Sequence, residues 1–182
     1  GIRCLVRSRG LGDVYKRQVL EAGEDLPHKR MLCLFGAGGD RDKGKRPLML
    51  KAALNHSDVV IISDDNPRSE NPEAIIRDIV SSSDIFLPWW IIRDRKQAIE
   101  SIIRFAQKDD IVLICGKGSE NYQEIEGVHY HFDDLETTLE ALAKRDTKIK
   151  DDAEFILPVD QTLMKLLFIS NWNPEPSGYK AV

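Results

Sequence analysis

From Met31 onward, short continuous apolar runs alternate with stretches whose apolar positions recur at helical spacing. Met31 to Phe35 (MLCLF) is a β-branched-poor but fully apolar run that stops at Gly36, the pattern of a buried strand. Asp58 to Ser63 and Asp110 to Cys115 repeat the pattern with Val and Ile, which favour strands. Between them, Pro47 suits the first turn of a helix carrying Leu48, Met49, Ala52, Ala53 and Leu54. Pro72 opens a second helix, with Ile75, Ile76, Ile79 and Val80 on one face. Asp94 is a good N-cap for a third, bearing Ala98, Ile102, Ile103 and Ala106. Ile85 to Ile92 reads as extended, in one strand or two pieces, and Val128 to Phe132 alternates. Asp133 or Asp134 then caps a helix running through Leu142. Continuous apolar strands alternating with helices predict an α/β fold, a mostly parallel, Rossmann-like sheet with helices on both faces.

The two ends read differently. Residues 1–18 (GIRCLVRSRGLGDVYKRQ) hold five basic residues against one acid and show no clean period. They lack the apolar centre of a signal peptide. The run SRGLGDVYKRQ resembles translated adaptor text, so this segment is expected to be non-native and to stand outside the fold. After Lys144 the pattern weakens, and residues 146–182 are expected to be an extension ending in a Pro- and Asn-rich tail.

Composition narrows the class. With 42% apolar residues the chain can bury a core, and 26 basic against 30 acidic residues give a net charge of −4. A broadly basic surface for nucleic acid is therefore not expected. No apolar run reaches the ~18 residues of a membrane-spanning helix. Three cysteines, two of them in apolar runs, suit a reduced, cytoplasmic protein better than a disulfide scaffold.

In a parallel sheet, ligands bind beyond the carboxyl ends of the strands. Three loops fall there: Gly36 to Arg46, Asp64 to Asn71, and Gly116 to Gln123. The first, GAGGDRDKGKR, fails as a dinucleotide fingerprint because its third position is Arg41. It fails as a phosphate-binding P-loop because Arg46 stands where Ser or Thr should meet magnesium. What remains is a glycine-rich turn with Arg41, Lys43, Lys45 and Arg46, suited to carboxylates or phosphates. The second loop is stiffened by Pro67 and Pro72, so Asp65, Asn66 and Arg68 are pre-aimed. Asp accepts from an ammonium and Arg forks onto a carboxylate, which together match an amino acid. An Asx turn with Arg68 on the surface is the plain alternative. The third loop brings Gly116 close to a ligand and offers Glu120 as a second anion. His129 and His131 share a strand face, but no further ligand is spaced to complete a metal site with them.

Taken in order, FGAGGDRDKGKRPLM, DDNPRSENPEAII, RDRKQAI, GKGSENYQ and HFDD resemble the C-terminal domain of the Mur ligases. The resemblance covers residues 19–145 and implies a substrate-binding domain of an ATP-dependent ligase of peptidoglycan biosynthesis. The D-N-P-R form resembles the members that add meso-diaminopimelate to UDP-MurNAc-L-Ala-D-Glu. It implies that Arg41, Asp65, Asn66, Pro67, Arg68, Gly116 and Glu120 hold that amino acid, with Lys43, Lys45 and Arg46 as phosphate contacts. Ser119 departs from the family's usual His. ATP and Mg2+ are implied for the complete enzyme, held mainly by a central domain, so the isolated piece is expected to be inactive. A stand-alone anion- or nucleotide-binding module, and a ligase using lysine or another diamino acid, are the alternatives.

Overall fold

A computed structural model describes residues 3–7, 27–81, 89–117 and 120–148. Five parallel strands form one sheet: β1 (Arg3–Arg7), β2 (Met31–Phe35), β3 (Val59–Ile62), β4 (Trp89–Ile91) and β5 (Ile111–Cys115), in the order β1-β5-β2-β3-β4. A separate antiparallel hairpin joins β6 (Tyr122–Ile125) to β7 (Val128–His131). Four helices accompany them: α1 (Lys45–His56), α2 (Pro72–Val80), α3 (Arg95–Phe105) and α4 (Asp134–Lys148). The predicted α/β architecture is the one observed.

Every residue of β2, β3 and β5 is buried, because helices cover both faces of the sheet. Met31, Cys33, Phe35, Val60, Ile62 and Leu113 point to one face, where Leu50, Ala53 and Leu54 of α1 and Ile75, Ile76 and Ile79 of α2 meet them. Leu32, Leu34, Ile61, Val112 and Ile114 point to the other, against Ala98, Ile99, Ile102 and Ile103 of α3 and Ala141 of α4. Alternation along the strands thus sorts two cores from three apolar runs. Cys33 and Cys115 are buried, as their runs predict.

The caps also follow from sequence. Asn71 accepts from the amides of Glu73 and Ala74, one residue before Pro72 at the start of α2. Asp94 accepts from the Gln97 amide and starts α3. Asp133, not Asp134, caps α4, accepting from the amides of Leu135 and Glu136. In α1 the pattern differs at one position: Leu48 is exposed, and Leu50 is buried together with Leu54.

Two departures concern strands. The expected loop Gly116 to Gln123 ends inside a strand: β6 starts at Tyr122 and pairs with β7 from Tyr122–His131 to Ile125–Val128. Residues 1–18 were set outside the fold, but Arg3–Arg7 lies parallel to β5, with Arg3 opposite Ile111 and Arg7 opposite Cys115. A bare β5 would present an open row of backbone donors and acceptors, and this strand satisfies them. Cys4 is half-buried there, and burial pushes its thiol up to about 11. Residues 146–148 end α4; the rest of the expected extension lies outside the described residues, as do 82–88 within the predicted Ile85–Ile92 stretch.

Candidate functional site

The chain runs outward from β2 to β4, then returns to place β5 on the far side of β2. The helix after β2 packs on one face and the helix after β5 on the other. The strand order therefore switches between the carboxyl ends of β2 and β5, the usual ligand position in such folds. The loops after β2, β3 and β5 meet there.

Their meeting is backbone-deep. The Gly39 amide donates to Asn66 O (2.8 Å), and Arg68 Nη1 donates to Gly39 O (2.7 Å). A β-carbon on Gly39 would lie 1.9 Å from Pro67 O, so only glycine lets the first loop touch the second. Gly116 is constrained twice, by φ of +141° and by Asp65 Oδ2 lying 3.0 Å from where its β-carbon would be.

Asn66 is buried and fully committed: its Nδ2 donates to Glu120 Oε2 (2.7 Å), while its Oδ1 accepts from Lys117 Nζ and the Glu124 amide (2.9 Å each). One amide thus fixes the third loop and the hairpin together. Asp65 is buried as well, and its Oδ1 accepts no hydrogen bond, with Lys117 Nζ 4.0 Å away. A buried carboxylate oxygen without a donor is costly unless a ligand supplies one. Arg68 adopts φ of +53°, and its Nε lies 3.3 Å from Glu124 Oε2. Its Nη2 has no polar partner among the described residues and stays available.

The predicted basic residues divide. Arg41 and Lys45 are exposed and unpaired among the described residues, and Lys43 reaches Glu70 at 3.4 Å from the surface. Arg46 is the correction: it is 1% exposed and donates to Glu70 (2.8 Å), Asp78 (2.7 Å) and Gly38 O (3.2 Å). Its guanidinium braces the first loop against α2 and does not face a phosphate. Burial opposes its charge, but Glu70 and Asp78 hold its pKa raised, and Arg46 in turn draws Glu70 down to about 2.

Sequence reasoning passed over three charged residues beneath the site. Arg95 is buried with its Nε and Nη2 on Asp134, Nη1 on Ser63 Oγ (3.0 Å), and Nη2 also on Cys115 O (3.2 Å). Burial would lower its pKa, and Asp134 keeps it raised. Lys117 is buried, donates to Asn66 Oδ1 and Tyr122 O, and sits 5.7 Å from the Phe132 ring centre. Burial pushes its ammonium below the usual range, against the pull of Asp65. All three stood in motifs already singled out, RDRKQAI, GKGSENYQ and HFDD, but their polar sequence neighbours gave no sign of burial. Gly118 and Ser119 lie outside the described residues. His129 stacks on Tyr122 (4.2 Å between ring centres) and His131 meets Glu136 (3.0 Å). Among the described residues, no group of three or more His, Cys, Asp or Glu comes together to hold a metal ion.

Comparison with known proteins agrees with this geometry. Residues 16–118 match the family described as Mur ligase, glutamate ligase domain. The chain is 46% identical over 127 residues to UDP-N-acetylmuramoyl-L-alanyl-D-glutamate--2,6-diaminopimelate ligase of Clostridioides difficile, covering 69% of this chain and 26% of that protein. It is 50% identical over 113 residues to the same-named protein of Bacteroides thetaiotaomicron (61% and 23%). A solved structure of a ligase of that name superposes with a TM-score of 0.74 at 40% identity, over 79% of this chain and 29% of the other. The chain belongs to the Mur ligases, matched by their glutamate ligase domain over residues 16–118. It spans about a quarter of the length of the curated relatives it matches.

Proposed function

We propose that this chain is the amino-acid-holding domain of a cytoplasmic, ATP-dependent ligase that adds meso-diaminopimelate to UDP-MurNAc-L-Ala-D-Glu in peptidoglycan biosynthesis. The holding unit is residues 19–145, with Arg3–Arg7 covering the edge of β5. The observation that carries the reading is the meeting of Asp65, Glu120 and Arg68 at one edge of the sheet, with Asp65 Oδ1 buried and lacking a donor. Asp65, whose Oδ1 lies within 4.0 Å of Lys117 Nζ, and Glu120, steered by Asn66, would be the two anions for an ammonium of the ligand. Arg68 would fork onto the carboxylate at the far end, a charge-assisted contact worth ~1.5–3 kcal/mol. Lysine lacks that carboxylate, so binding it would leave Arg68 with Glu124 and Gly39 O as its only partners among the described residues. Pro67 and Gly116 shape the walls, and Arg41 stands exposed at the rim.

ATP does not fit the residues of this chain alone, since Arg46 occupies the place of a magnesium-binding hydroxyl and is itself buried against Glu70 and Asp78. ATP and Mg2+ are assigned mainly to another domain of the complete ligase. Exposed Arg41, Lys43 and Lys45 are left as the contacts this chain would offer to phosphate oxygens.

Nitrogen-15 spectra of the 182-residue chain, titrated with meso-diaminopimelate, L-lysine and ADP, test the reading. Saturable shifts at Asp65, Arg68 and Gly116 with diaminopimelate, and much weaker ones with lysine, are expected. Shifts with ADP alone, at the Gly36 to Arg46 loop, would favour a nucleotide-binding module instead.

A further inference from the structure

We infer that Glu124 is a positioning residue for Arg68, and that through it the β6–β7 hairpin sets the preference of the site for a distal carboxylate. This rests on the reading of Arg68 given above. Arg68 is one of the few non-glycine residues with a left-handed backbone, at φ of +53°. Such a conformation is strained for a bulky residue and persists only where its surroundings impose it.

Here the hairpin does the imposing. The Arg68 amide donates to Glu124 O (3.0 Å) and the Glu126 amide donates to Arg68 O (2.8 Å), so Arg68 bridges in parallel to Ile125. The amide and carbonyl of Arg68 are thereby fixed to the β6–β7 hairpin. The side chain is fixed from the same residue, with Glu124 Oε2 3.3 Å from Nε. Gly39 O then takes Nη1, so two of the three guanidinium nitrogens are held by the protein.

Glu124 is itself well held. Its amide donates to Asn66 Oδ1, and His129, stacked on Tyr122, brings Nε2 to 3.8 Å from the same Oε2. The hairpin that carries it turns through Glu126 and Gly127, both with positive φ as a tight two-residue turn requires. The carboxylate is therefore held in place, and it restrains the guanidinium at Nε. Nothing else among the described residues meets Nε. Without Glu124 the fork would retain its charge and lose its aim, and a displacement of about an ångström can cost up to ~100-fold in binding or rate.

The test compares wild type, Glu124→Ala, Glu124→Gln and Arg68→Ala in the complete ligase, with kcat and KM measured for meso-diaminopimelate and for lysine. Glu124→Ala is expected to raise the KM for diaminopimelate about tenfold, with kcat changed less than about twofold and lysine kinetics unchanged. Glu124→Gln keeps the shape and an acceptor oxygen, so it should recover part of the loss. In the 182-residue chain, the Arg68 Nε–H resonance should be sharp and lose its distinct shift in Glu124→Ala. A diaminopimelate-to-lysine ratio that survives Glu124→Ala but collapses in Arg68→Ala overturns the role of Glu124 and leaves the reading of Arg68 standing. A ratio unchanged in Arg68→Ala overturns both.

Discussion

Arg95 and Asp134 stand 39 residues apart and meet as a two-pronged ion pair, Nε to Oδ1 and Nη2 to Oδ2, each at 2.7 Å, with neither side chain reaching solvent. The pair joins the start of α3 to the start of α4 and hands Arg95 Nη2 to Cys115 O, just before Gly116. Removing one partner strands the other charge in the interior. Asp134→Asn should therefore lower unfolding free energy by ~3–5 kcal/mol. Urea denaturation checks this, and Arg95→Met combined with Asp134→Leu should cost clearly less than the single change. A loss below ~1 kcal/mol for Asp134→Asn would mean that water reaches the pair.

Glu70 gives a pH signature. Arg46 and the Asp40 amide hold its carboxyl at about 2 against an ordinary 4.5. A depressed folded-state value contributes stability that is whole above the unfolded value and fades as pH falls from 4.5 towards 2. Glu70→Gln should thus be destabilising at pH 7, by ~1–2 kcal/mol for a lost charge-assisted bond, and nearly silent near pH 2. Melting curves across that window decide it; a deficit constant with pH would remove the ionised carboxylate from the account.

The sheet and its two cores were legible because burial on both faces requires unbroken apolar strands, and MLCLF, VVII and IVLIC satisfy that locally. The convergence of the three loops was legible too, since topology alone sends them to one edge. Arg46 was misassigned, and Arg95 and Lys117 overlooked, for a common reason. A charged residue inside a protein is determined by partners distant in sequence, and Arg46 finds Glu70 and Asp78 24 and 32 positions away. β6 hid because its residues are only half-buried, so no apolar alternation marks it. The left-handed turn at Arg68 has no signal in residue type; the hairpin imposes it.

Gly39 supplies a steric test. With Pro67 O 1.9 Å from its absent β-carbon, Gly39→Ala must push the first two loops apart and release Arg68 Nη1 from Gly39 O. A loss of ~1–3 kcal/mol is expected, and amide shifts should change at Asn66 and Arg68 on the opposing loop. Unchanged shifts there would show that the loops do not touch.

Arg3–Arg7 makes a claim about the edge of the sheet. Deleting residues 1–7 should expose β5 and lower the melting temperature by several degrees, ~1 kcal/mol or more for a domain of this size. Amide exchange in β5 should quicken in parallel. An identical melting temperature would detach β1 from the fold.

We propose that Arg68 reads a distal carboxylate. That role is tested most directly by the ratio of kcat/KM for meso-diaminopimelate to that for lysine, in a complete ligase carrying this domain with and without Arg68→Ala. Sites built to pair a polar substrate group reject analogues lacking it by up to ~10⁴–10⁵. The ratio should therefore fall by ~100-fold or more in Arg68→Ala, mainly through the KM for diaminopimelate. Arg68→Lys should restore only part of it, because an ammonium cannot fork. A ratio that stays at its wild-type value in Arg68→Ala would contradict the account.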